Sequence, residues 1–166
     1  MVMTTAELIS SLQNEVRILL HLAGKVDRSM LDYRPTPQQR STIELLQYLT
    51  MMGPELIRAI RAGGFDGDTW TAAERNAASL SFDDVLSAIA AQKAGYAEAL
   101  GDITEAELRR EVALFGEPAS VGSTLVNQVL CGCAAYRTQL FLYLKACGRH
   151  ELTTLNLWAG IDGLPS

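Results

Sequence analysis

Residues 121–148, VGSTLVNQVLCGCAAYRTQLFLYLKACG, carry the pattern that decides the fold. Leu125, Val129, Cys133, Tyr136, Leu140, Tyr143 and Cys147 recur at spacings of four and three. That is the seam of a helix packed lengthwise against other helices. Asn127, Gln128, Arg137 and Gln139 break the apolar run, so it does not read as a membrane span. The spacing predicts a helix over 123–147, with Gly148 as its stop.

Working outward, the same logic finds three more long helices. Thr4-Thr-Ala-Glu7, Ser41-Thr-Ile-Glu44, Thr71-Ala-Ala-Glu74 and Thr104-Glu-Ala-Glu107 fit the capping box, and Ser81-Phe-Asp-Asp84 is its close relative. In each, the hydroxyl accepts from an orphan N–H and the carboxylate reaches back to the cap. Leu8, Leu12, Val16, Leu19, Leu20 and Ala23 form one stripe of a helix over 5–26. Leu45, Tyr48, Leu49, Met52, Leu56 and Ile60 do the same over 42–63, where Pro54 should kink the helix. Phe82, Val85, Ile89, Tyr96 and Leu100 mark a third over 82–100. Short helices are expected over 71–78 and 104–110, a loop over 65–70, and loop or extended chain over 111–121. Pro35 and Pro37 make 27–40 a connection. The expected architecture is all-α: one domain over 1–166, a four-helix bundle with long connections, short extra helices and a C-terminal tail. The long connections favour a crossover topology.

Composition narrows the function classes. The chain is 48% hydrophobic and 20% charged, with 14 basic and 19 acidic residues and a net charge of −5. An acidic chain without a basic run has no electrostatic footprint for nucleic acid or for an anionic membrane. The first residues lack the basic and apolar regions of a signal peptide, so a cytoplasmic location is expected. Cys131, Cys133 and Cys147 all fall on the last long helix, where no pairing closes a disulfide. Reduced thiols packing as small apolar groups are expected.

Three segments resemble the DinB-like family, also called YfiT-like. LDYRPTPQQRSTIELLQYL (31–49) is similar to the segment leading into that family's second long helix. AAYRTQLFLYLKACG (134–148) is similar to the end of its last long helix, and LNLWAGIDGLP (155–165) to a tail found in some members. The resemblance implies a four-helix bundle. It also implies a divalent-metal site in many members, built from one histidine on the second helix and an i, i+4 histidine pair on the last. In this sequence those positions are Tyr48, Gly132 and Tyr136. The resemblance therefore implies the scaffold with a degenerate metal site, and no metal or other cofactor is expected. Some relatives are metal-dependent thiol transferases, so an enzyme of that class with a rebuilt site is the alternative function.

Candidate residues follow from this placement. Gln128, Gly132 and Tyr136 stand at i, i+4 and i+8 on the last helix, with Gln139 continuing the stripe and Tyr48 facing them. Glycine inside a helix costs about 1 kcal/mol relative to alanine, which asks for a reason. One reading is close packing of Gly132 against Tyr48, and the residues favour it. The other is a small-molecule pocket. His21 is expected to flank its helix or be satisfied locally. His150 is expected to meet the carbonyls at the end of the last helix. Cys147 lies at the same helix end, where the dipole disfavours a thiolate. No nucleophile elbow or phosphate loop is present, so no catalytic residue is assigned. Trp70 and Trp158 are expected to anchor loop and tail to the core. The apolar tail residues Leu155, Leu157 and Trp158 raise the expectation of a homodimer. The functional expectation is a non-metal binding or interaction module.

Overall fold

The computed structural model describes residues 3–163. Four long helical segments dominate: α1 (Thr5–Ala23), α2 (Thr42–Ala62), α4 (Phe82–Leu100) and a rod of three contiguous pieces. The rod comprises α6 (Val121–Thr124), a π-helical segment (Leu125–Leu130) and α7 (Cys131–Ala146). Two shorter helices, α3 (Gly67–Ala78) and α5 (Glu105–Arg109), join them. Among the described residues the only strands are β1 (Glu111–Val112) and β2 (Ala119–Ser120), an antiparallel pair within the stretch expected to be loop or extended. The protein is all-α.

Local chemistry starts the helices. Thr4, Ser41 and Thr104 form complete capping boxes with Glu7, Glu44 and Glu107. Ser81 accepts from the Asp84 N–H at 3.2 Å. The Thr71 box is not used. Asp66 accepts from the Asp68 and Thr69 N–H groups and starts α3 four residues earlier. Thr71 is thereby interior, and Trp70 lies on a helix, not in the expected loop.

α1 packs on α4 and α7, and α2 packs on the same two helices, so consecutive α1 and α2 take opposite corners of the bundle. The link between them crosses the bundle end and feeds the α2 start: Tyr33 and Leu31 carbonyls accept from the Thr42 and Ile43 N–H groups at 2.9 and 3.0 Å. The core holds Leu8, Leu12, Val16 and Leu19 of the first stripe, together with Ile18 and Leu22, while Leu20 is only partly buried. α2 contributes Leu45, Leu49, Met52, Leu56 and Ile60, and α4 contributes Val85, Ile89, Tyr96 and Leu100.

α2 runs on through Pro54. Proline cannot donate to the carbonyl four residues back, which belongs to Thr50. The buried Gln92 side chain on α4 supplies the missing donor, reaching the Thr50 carbonyl at 2.9 Å and the Leu49 carbonyl at 2.8 Å. Its amide oxygen accepts from the Tyr96 hydroxyl at 3.1 Å.

The tail is held on α1 by polar contacts. Buried Arg137 pairs with Glu15 at 2.7 and 3.1 Å and also donates to the Leu157 carbonyl. Arg17 donates to the Ala159 carbonyl at 2.8 Å. Gly160 takes a left-handed conformation, and a side chain there would meet the Ile18 Cα at 3.1 Å. His21 is satisfied locally: its Nε2 lies 3.1 Å from the buried Asn156 amide. Burial lowers its pKa, opposed by Asp162. The expectation that Trp158 anchors the tail to the core is corrected: it is 72% exposed. Backbone carbonyls and Asn156 face inward instead, which turns Trp158 out. Leu155 and Leu157 are half-buried on their own bundle. Lys145, not the His150 ring, reaches the carbonyls beyond the end of α7, donating to His150 and Leu152 at 2.8 and 3.0 Å. Leu164 and Pro165, which end the quoted tail motif, lie outside the described residues.

Candidate functional site

Tyr48, Met52 and Leu56 recur every four residues on α2 and so share one face. The rod presents Gln128, Gly132 and Tyr136 to the same space. Between them the helix is widened: the Cys131 N–H bonds to the Val126 carbonyl, five residues back. Such π-type insertions re-aim the side chains around them. Here Asn127 and Gln128 both line the cavity. α3 contributes Trp70, the chain before it Phe65, and the turn between β1 and β2 Phe115. Together these ten residues line a cavity of about 430 Å³ that is open to solvent on the side of the exposed Phe65 and Phe115.

The four residues singled out from the sequence thus line one cavity. Gln139 does not join them. Its amide donates to the Tyr143 hydroxyl at 2.5 Å. Cys133 turns towards Tyr96, with sulfur and hydroxyl 4.0 Å apart, and burial pushes its thiol up to about 11. The Cys147 thiol is also raised by burial. Sequence reasoning missed Leu56, Met52, Trp70, Phe65, Phe115 and Asn127 as lining residues. The i+4 and i+8 spacing from Tyr48 would have found Met52 and Leu56.

The expected packing of Gly132 against Tyr48 is corrected. A β-carbon at Gly132 would meet Met52, 3.5 Å from Cε and 3.6 Å from Sδ, which is ordinary contact. Tyr48 instead packs edge-to-face on Tyr136, with centroids 5.2 Å apart, and on Trp70 at 6.2 Å. Phe65 continues the series, 5.3 Å from Trp70 and 5.0 Å from Phe115. The quadrupoles of such pairs favour tilted contacts and fix the rings relative to one another. Burial, reinforced by the Tyr136 phenol, raises the Tyr48 pKa, so Tyr48 is neutral at physiological pH. The Arg40 guanidinium lies over its ring, 3.8 Å from the centroid.

No protein-family model matches the sequence, and no curated protein matches it. Among solved structures, the crystal structure of a DinB-like protein from Bacillus subtilis, YjoA, matches with a TM-score of 0.67. The match has 18% sequence identity and covers 88% of this chain and 94% of that one. This chain has the DinB-like fold. The likeness is one of architecture, since 18% identity carries the backbone and not the side chains.

The metal that the DinB-like resemblance implies can be tested on the residues themselves. Tyr48, Gly132 and Tyr136 offer two phenols and no imidazole. Divalent transition metals select imidazole, thiolate or carboxylate ligands. The amides of Asn127 and Gln128 add only neutral oxygens. Among the described residues no three His, Cys, Asp or Glu side chains come together to hold a metal ion. His21 sits on α1 beneath the tail, committed to Asn156. The donor set of this DinB-like fold does not fit the metal. Among the same residues, no helix is long and apolar enough to cross a membrane.

Proposed function

We propose that this protein is a non-metal binding module whose aromatic cavity takes a small molecule with an uncharged, planar, largely apolar body. The observation that carries this reading is the lining. Tyr48, Met52, Leu56, Phe65, Trp70, Phe115 and Tyr136 line an open cavity of about 430 Å³, with Asn127 and Gln128 as polar partners and no ionised side chain among them. Pockets for small ligands commonly combine an apolar wall with a few convergent hydrogen-bonding groups. Aromatic walls reward flat ligands through stacking and edge contacts. A carboxylate or ammonium placed among these rings would lose water and gain no partner. Gly132 keeps the floor open, because a side chain there would extend from Met52 into the space.

Trp70 is the natural reporter. With Trp158→Phe, it becomes the sole tryptophan. Titrating benzamide, a flat neutral ring with an amide for Gln128, should give a saturable change in Trp70 emission. Benzamidine, its cationic near-isostere, should bind more weakly. Gly132→Leu, which fills the cavity, should abolish the response while keeping helical circular dichroism. Equal binding by folded Gly132→Leu would refute the cavity as the site, and tighter binding of benzamidine would mark a cation cage instead.

A further inference from the structure

Tyr48 lines a second space on its other side. Arg40, Glu44, Gln47, Tyr48, Glu74 and Ala77 are among the residues around that cavity of about 220 Å³. The aromatic cavity has no ionised wall, whereas this one does, and the Tyr48 ring is common to both.

Within it, Arg40 stands apart in how it is held. Arg28 and Arg61 spend their guanidinium groups on carboxylates, at 2.7 Å to Asp83 and 2.9 Å to Asp102. Arg40 approaches Glu74 only to 3.6 Å, beyond good hydrogen-bonding distance. It is positioned instead by stacking on Tyr48, and its own backbone carbonyl is fixed by the buried Tyr143 hydroxyl at 2.9 Å. Stacking uses the face of the guanidinium and leaves the N–H fork in its plane available. A fork oriented in advance is suited to bidentate recognition of a carboxylate. Glu44 is not a competitor, because it accepts from the Ser41 N–H at 2.7 Å and pairs with Arg34 at 3.1 Å. Glu74 is half-exposed on α3 and can be displaced.

Building on the binding reading above, we propose that the two spaces form one site for an aryl-alkyl carboxylic acid. Its ring lies among Tyr48, Trp70 and Tyr136, and its carboxylate passes the Tyr48 edge to Arg40. Arg40 then determines specificity for the acid over its neutral analogue.

Isothermal titration with 3-phenylpropionate and its neutral isostere 3-phenylpropanamide separates this proposal from the reading beneath it. Wild type should bind both, with the acid about tenfold tighter at low salt, a typical gain for a charge-assisted bidentate pair. Arg40→Gln should bring the acid down to the amide and leave the amide unchanged. Glu74→Gln should tighten the acid alone. Gly132→Leu should lose both. If the amide binds and the acid gains nothing, or if Arg40→Gln keeps the preference, the Arg40 proposal is overturned and the aromatic cavity stands. If neither probe binds, both fall. If Gly132→Leu stays folded and still binds the acid, the two spaces are not one site.

Discussion

Gly53 and Gly132 are both helix-interior glycines, one on α2 and one on α7, and their surroundings differ in a way that separates packing from vacancy. At Gly53 a β-carbon would overlap the hydroxyl oxygen of Tyr96 and lie 3.2 Å from its ring carbon Cζ. Tyr96 is buried, its ring is enclosed by the core, and its hydroxyl is committed to Gln92. At Gly132 the same atom would touch only the flexible end of Met52 at ordinary distance. The first glycine lets two helices approach. The second leaves room at the floor of a cavity. A missing side chain alone does not say which, and the partner helix decides.

The sharpest test is Gly53→Ala. Alanine gains about 1 kcal/mol of intrinsic helix propensity over glycine. Overpacking against a rigid buried ring typically costs about 1–3 kcal/mol, and this overlap sits at the severe end. A net loss of about 2 kcal/mol in a denaturation experiment is expected. Adding Tyr96→Phe to that variant removes the overlapping oxygen and should recover part of the loss. If Gly53→Ala is as stable as wild type, the contrast between the two glycines is not real.

Legibility from sequence follows the range of the interactions. The caps at Thr4, Ser41, Ser81 and Thr104 need only residues three apart, and they start helices where the pattern placed them. Thr71 shows the limit of that rule: Asp66, upstream, caps the Asp68 and Thr69 N–H groups and leaves Thr71 inside the helix. Tyr48, Gly132 and Tyr136 were legible through the DinB-like resemblance, and Gln128 through its i, i+4 spacing from Gly132. The rim was not, because Phe65 and Phe115 come from connections that carry no periodicity. Met52 at Gly132 was missed because facing residues depend on helix register, and the π-helical segment shifts it. The tail was misread for a related reason. Its apolar residues suggested burial, yet Arg17, Arg137 and His21 hold it through carbonyls and Asn156.

The Gly53 side can be probed through its neighbour. Gln92→Leu keeps the bulk of the side chain but removes the donor to the Thr50 carbonyl left open by Pro54 and the acceptor for Tyr96. An unpaired buried polar group costs about 1–3 kcal/mol. A loss of about 1.5 kcal/mol is expected, somewhat below that of Gly53→Ala. Combining Gln92→Leu with Pro54→Ala restores a backbone donor to Thr50 and should return part of that loss. Strict additivity in the double variant would mean that Gln92 does not compensate for the proline.

Gly132→Ala carries the smallest effect and the opposite sign. The methyl group meets Met52 Cε and Sδ at van der Waals distance, and methionine adapts its three rotatable bonds to such a change. No cost comparable to overpacking is therefore due, and the propensity gain of about 0.8–1 kcal/mol should appear almost whole, as a raised denaturation midpoint with an unchanged slope. Ligand binding should weaken only modestly, since one methyl occupies little of about 430 Å³. Gly132→Leu should instead fill the space and abolish it. A midpoint for Gly132→Ala at or below wild type would mean that α7 sits closer to α2 than the Met52 contact indicates. In that case both glycines would serve close packing, and the cavity would lose its floor.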